Sequence, residues 1–133
     1  MRDFRQYEVW KKAIDIADIV YALCDGFPKY ELFALGDQLR RAVVSISSNI
    51  AEGASRTSTA EFAHYLEVSI GSAFEVETQL LIARRRNYIS EEVYKTTVME
   101  LQSLERQLNT FISRIRNEQP TTRSPKLKAK ANN

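Results

Sequence analysis

The apolar positions of this chain fall into four helical runs separated by short polar or glycine-containing breaks. In the first, from about Gln6 to Asp25, Val9, Ala13, Ile16, Val20 and Leu23 recur at steps of three and four, which places them on one helix face. Trp10, Ala17, Tyr21 and Cys24 widen that stripe, and Gly26 followed by Pro28 ends the run. A second run begins near Asp37, a favourable N-cap residue, and carries Leu39, Val43, Ile46 and Ile50 as its seam. The stretch SISSNIAEGASRTS, residues 45–58, has the composition of a loop, yet this seam passes through its first half. The spacing predicts helix through Glu52 and a loop from Gly53. At about 100° per residue, Val44, Ser47 and Ala51 form a neighbouring stripe of small side chains.

The third run opens on a capping box, Ser58 with Glu61, and continues with Phe62, Leu66, Ala73, Val76 and Leu80 at core spacing. Gly71 and Ser72 sit inside it, where glycine costs about 1 kcal/mol relative to alanine, so a close helix contact is expected there. Arg84, Arg85 and Arg86 suit a helix C-terminus, and Asn87 suits a left-handed cap. The fourth run starts at Ser90, with Glu91 and Glu92 in its first turn. Val93, Thr97, Leu101, Leu104, Leu108, Phe111 and Ile115 then form a heptad seam to about Asn117. Short links between the last three runs make them antiparallel neighbours. The expected architecture is an all-α, up-down-up-down four-helix bundle over residues 1–119. Val9, Leu39, Val43, Ile46, Leu66, Ala73, Leu80, Leu101, Leu104 and Leu108 are its expected core.

Composition sharpens this picture at the C-terminus. The 133 residues are 44% hydrophobic and 27% charged, with four Gly and three Pro, which favours long helices over many strands. The net charge of +2 conceals an uneven distribution: residues 120–133 carry Arg123, Lys126, Lys128 and Lys130 without an acid, leaving 15 basic against 17 acidic residues elsewhere. That segment is expected to be a disordered basic tail. A single cysteine excludes an internal disulfide, and no metal-spaced Cys/His group accompanies it, so a cytoplasmic location is expected. The start MRDFRQYEVW has no apolar leader core, and no apolar run is long enough to span a membrane.

Candidate chemistry is sparse. One histidine, His64, cannot build the paired Glu-x-x-His motif of a di-iron bundle. Cys24 lies on the flank of a core stripe, where cysteine behaves as a small hydrophobe. Glu75 and Glu77 diverge by about 200° on a helix and share no site. In an antiparallel hairpin joined at residues 53–57, Glu75 comes level with Arg40 and Arg41, an expected interhelix ion pair, and Asn49 is expected to fix register. There is no phosphate-binding glycine loop and no zinc spacing. Neither an enzyme, a cofactor nor a small-molecule substrate is expected.

The motifs VWKKA, FPKYELFAL, QLRRAVVSISSNIAEG and GSAFEVETQL, in this order, resemble the four-helix-bundle proteins encoded in intervening sequences of bacterial 23S ribosomal RNA genes. The resemblance covers about Phe4 to Asn117. It implies a homo-oligomer, commonly a pentamer, without enzymatic activity, and a fold shared with the accessory protein of diversity-generating retroelements. That relative binds nucleic acid and its reverse transcriptase through a basic surface. Ser48 stands where the family often has alanine, and Arg86-Asn87 replaces a more usual Leu-Gly.

Two functional readings follow. In the first, an oligomeric scaffold or adaptor contacts RNA or a nucleoprotein through Lys11, Lys12, Arg40, Arg41, Arg84, Arg85, Arg86 and the tail residues Arg123, Lys126, Lys128 and Lys130. Phosphate neutralisation would be multiplied by the number of copies. The alternative is a protein–protein interaction module that presents its second helix to a partner without touching nucleic acid. In both, the absence of charge from residues 42–51 is expected to reflect a covered face, with Val44, Ser47, Ser48 and Ala51 against a neighbouring subunit.

Overall fold

A computed structural model of the chain describes residues 2–123, with side chains through Glu118. A 3-10 turn, Phe4–Gln6, is capped by Asp3, whose carboxylate accepts from the Arg5 amide. Helices α1 (Glu8–Asp25), α2 (Lys29–Leu32), α3 (Leu35–Ala54), α4 (Thr59–Arg85) and α5 (Glu91–Arg123) follow, α2 being a single turn. The four long helices close a ring in which α1 packs on α3 and α5, and α4 packs on α3 and α5. Ion pairs at opposite ends of the α4–α5 seam, Arg84–Glu91 and Glu67–Arg116, show those two helices to be antiparallel. The fold is the expected antiparallel four-helix bundle.

All ten expected core residues are buried, nine of them completely and Val9 at 7% exposure. Deviations lie at the ends of the seams. The α1 seam ends in the fully buried Cys24 while Leu23 is half-buried, and on α5 Ile112 is buried where Phe111 is half-buried and Val93 exposed. A straight helix drifts by about 20° per heptad from a strict seven-residue repeat, so the buried stripe moves to the neighbouring position. The α5 helix also runs to Arg123, past its expected end near Asn117. The rest of the expected tail, with Lys126, Lys128 and Lys130, lies outside the described residues.

Helix boundaries show which signals act locally. At the start of α4 the Ser58 hydroxyl accepts from the Glu61 amide at 3.0 Å, and at the start of α5 the Ser90 hydroxyl accepts from Val93 at 3.1 Å. Asn87 has φ 65°, and the amides of Tyr88 and Asn87 donate to the carbonyls of Ala83 and Arg84, a Schellman arrangement that ends α4. Helix α3 departs from expectation: it starts at Leu35, and Asp37 lies in its first turn instead of capping it. Glu31 supplies the cap from outside, one carboxylate oxygen accepting from the Leu35 amide at 3.3 Å and the other from the Tyr88 hydroxyl at 2.8 Å. That hydrogen bond to Glu31 holds the Tyr88 pKa up at about 12.

The two glycines of the central hairpin exchange roles relative to expectation. Gly53 is inside α3, and a Cβ there would sit 2.7 Å from Cβ of Tyr65 and 3.3 Å from the Phe62 carbonyl oxygen, so it permits a close approach of α3 to α4. Gly71 has open space where a Cβ would lie, because it faces away from the bundle. The adjacent Ser72 makes the contact instead, its hydroxyl 2.8 Å from that of Ser45. One turn away, the buried Ser69 hydroxyl donates to the Ile46 carbonyl at 2.7 Å.

Because Leu104 is fully buried on α5, Leu104→Ala is expected to lower unfolding free energy by about 2 to 5 kcal/mol in chemical denaturation. A loss below about 0.5 kcal/mol would contradict this orientation of α5.

Candidate functional site

The expected phosphate contacts divide by partner. Lys12 pairs with Glu100 at 2.8 Å, Lys11 with Glu8 at 3.4 Å, and Arg84 with Glu91 at 3.1 Å, its guanidinium over the Tyr94 ring. Arg40 donates to Asp37 at 2.7 Å and to the Leu32 carbonyl at 2.5 Å, and the Asp37 hydrogen bond raises its pKa. Lys12, Arg40 and Arg84 are thereby held within the fold, whereas Lys11 and Glu8 pair on the exposed surface of α1. Arg41, Arg85 and Arg86 are exposed and have no carboxylate within ion-pair distance among the described residues.

Arg85 and Arg86 sit at the end of the bundle that also carries α2. There Tyr30 and Phe33, one helical turn apart, are 75% and 83% exposed, and Tyr30 meets the edge of Tyr88 at 6.5 Å. Sequence reasoning used FPKYELFAL only as a motif and missed these aromatics. The signal was present: two aromatic residues three apart in a segment too short to bury a face.

The expected interhelix pairing of Arg40 or Arg41 with Glu75 does not form. Glu75 is exposed and accepts from Gln79 on its own helix at 3.3 Å, while the shorter reach to Asp37 captures Arg40. Asn49 also turns back on its own helix, donating to the Ser45 carbonyl at 2.8 Å and hydroxyl at 2.9 Å, a local bond that asparagine makes readily. Register between α3 and α4 is held by Ser69 and Ser72 instead.

Of the expected interface strip, Ser47 is 7% exposed and its hydroxyl donates to the Val44 carbonyl, so it is covered within the chain. Packing against α1 turns it inward. Val44 and Ser48 are exposed and Ala51 is half-buried. Across the Ser45–Ser72 contact, α4 adds exposed Val68, Gly71, Phe74 and Ile82. Exposed apolar groups therefore occur on both helices, the larger ones on α4, with the exposed side chains of Arg41, Glu52 and Glu75 set among them. His64 is exposed on the same helix, and no group of three potential ligands for a metal occurs among the described residues. Cys24 is fully buried, and burial pushes its thiol up, away from thiolate character.

A carboxyl pair spans α4 and α5 where sequence reasoning looked only at Glu75 with Glu77. Glu105 is 8% exposed, and one of its oxygens lacks a hydrogen-bond partner; burial first, and the adjacent Glu77 second, push its pKa up to about 8. Arg106 opposes the shift only weakly.

Against this geometry the comparisons are decisive for ancestry. The chain matches the family described as 23S rRNA-intervening sequence protein over residues 5–110. It belongs to that family. Among solved structures, the intervening-sequence fold is matched by a protein of unknown function from the S23 ribosomal protein family of Bacteroides thetaiotaomicron, with TM-score 0.73 and 26% identity over 78% of this chain and 97% of that one. No curated protein sequence matches. The family match takes in α1 to α4 and most of α5, so the α3–α4 surface and the α2 aromatics both belong to the intervening-sequence domain.

The Glu105 environment predicts an unusual pH response. Folding raises this carboxyl from 4.5 to about 8, so between those values the folded chain holds a proton that the unfolded chain has released. Its stabilisation is complete below pH 4.5 and is lost as pH rises through about 8. Glu105→Gln should flatten this decline in a series of thermal unfolding curves and raise Tm most at the alkaline end. Identical pH slopes for the two proteins would contradict the assignment.

Proposed function

We propose that this intervening-sequence protein is a non-enzymatic, homo-oligomeric scaffold or adaptor of the cytoplasm that binds RNA or a nucleoprotein through basic surface repeated on every copy. The observation carrying the reading is the set of exposed apolar side chains on α3 and α4, Val44, Val68, Phe74 and Ile82, beside Ser48 and Gly71 and with only Arg41, Glu52 and Glu75 charged among them. Surfaces of this kind mark association sites, and the small side chains allow a second backbone to approach closely. The pentameric number is implied by the family resemblance. Arg85 and Arg86, exposed and without a carboxylate partner among the described residues, lie at the same end as exposed Tyr30 and Phe33 and support nucleic-acid contact, since cations that neutralise phosphate and aromatic rings that stack on bases act together on single strands. Assembly multiplies such weak contacts by copy number.

The protein–protein alternative is favoured by the ion pairs that occupy Lys11, Lys12, Arg40 and Arg84, which reduce the free cationic surface of each copy. Salt separates the readings: RNA affinity falls steeply with ionic strength, and an apolar contact hardly responds.

In sedimentation velocity the intact chain is expected to run as a multi-copy species at tens of micromolar. Val44→Arg and Ala51→Arg should each shift it toward a smaller one while circular dichroism stays unchanged, because arginine is a good helix former. A monomeric wild type, or variants that assemble as the wild type does, would overturn the oligomeric reading.

A further inference from the structure

We infer that the groove between the start of α1 and the middle of α5 is a binding site for a phosphate-bearing, single-stranded nucleic-acid segment. The inference rests on the RNA-binding reading above and assigns it a location that lies apart from the α2 end of the bundle. The groove encloses about 600 Å³ and opens to solvent. Tyr7 and Phe111 line it, both half-buried, with ring centroids 4.9 Å apart in an edge-to-face contact. Phe62 lies behind them, its centroid 6.1 Å from Tyr7 and 5.7 Å from Phe111, so the aromatic floor is fixed by core packing before any ligand arrives.

The α5 wall presents Arg106 and Arg114, two helical turns apart and thus separated by about 12 Å along the helix axis. Both are exposed, and neither has a carboxylate within ion-pair distance among the described residues, in contrast to Arg84 and Arg116, which pair with Glu91 and Glu67 on the α4–α5 seam. The acid lining the groove, Glu8, is engaged by Lys11 at 3.4 Å. Gln107 also lines the groove, and its amide reaches Ser103 only at 3.5 Å and so keeps hydrogen-bonding capacity for a ligand. Two cations about 12 Å apart along the helix axis, a carboxamide and an aromatic floor in one groove match the chemistry of a short single strand: phosphates on the guanidinium groups, a base edge on the amide, a base face on a ring. An acidic peptide would use the cations and leave the aromatic floor without a stacking partner, which favours nucleic acid.

The test uses the full-length protein and a fluorescein-labelled single-stranded RNA of mixed sequence, read by anisotropy across a salt series. Arg106→Gln with Arg114→Gln is expected to weaken binding by about tenfold or more and to reduce the slope of log affinity against log salt by about 1.4, the value for two lost phosphate contacts on a single strand. Thermal stability should be unchanged, because both side chains are exposed. If the intact protein binds RNA and Arg85→Gln with Arg86→Gln abolishes binding while the groove variant binds normally, the groove assignment is overturned and the RNA reading stands. Absence of RNA binding by the intact protein at low salt overturns both. Displacement of the RNA by inorganic phosphate or by a polyglutamate peptide at equal charge concentration would also overturn the assignment, showing a general anion site.

Discussion

The backbones of α3 and α4 run so close at Gly53 that a single added carbon would meet Cβ of Tyr65 at 2.7 Å. A contact of this kind requires small residues along the facing seam, and they are present as Ser45, Ser69 and Ser72. The hydroxyl of Ser69 then reaches the Ile46 carbonyl across the gap, so the seam is fastened by short polar side chains as well as by the apolar core. This explains why a stretch with loop composition, SISSNIAEGA, is helical through Ala54. Its serines and glycine are the residues that tolerate proximity, and burial of Ile46 and Ile50 supplies the hydrophobic stabilisation.

From that seam the distribution of surfaces follows. In the ring of four helices, the α3–α4 edge lies opposite the α1–α5 edge. The exposed apolar groups of α3 and α4 belong to the first and the groove with Arg106 and Arg114 occupies the second. Self-association through one edge therefore leaves the other open, and an assembly built on α3 and α4 would display one groove per copy. Avidity then depends on how many grooves a single strand can reach at once.

Much of the fold was legible in the sequence because each core seam repeats at helical spacing and most buried positions carry an apolar side chain. The caps at Ser58, Asn87 and Ser90 were legible for a similar reason: their partners lie within a few residues. What escaped reading depends on distant groups. The start of α3 is capped by Glu31, which Tyr88 holds from a position 57 residues away in the sequence. The roles of Gly53 and Gly71 are decided by which helix face meets a neighbour, and a rotation of one residue exchanges them. Ion pairing is equally non-local: Arg40 was expected to reach Glu75 and instead found Asp37, while Glu77 and Glu105 come together from positions 28 residues apart. Which cations remain free for phosphate is accordingly a property of the folded surface.

The closeness of α3 to α4 can be tested at the position that permits it. Intrinsic helix preference favours alanine over glycine by about 1 kcal/mol, so Gly53→Ala would stabilise a helix with open space at this site. Equilibrium denaturation of Gly53→Ala should instead show a stability loss of about 1 to 3 kcal/mol, because the new methyl group meets Tyr65 and forces the helices apart. A variant as stable as the wild type, or more stable, would contradict the close α3–α4 seam from which the rest of the architecture has been derived.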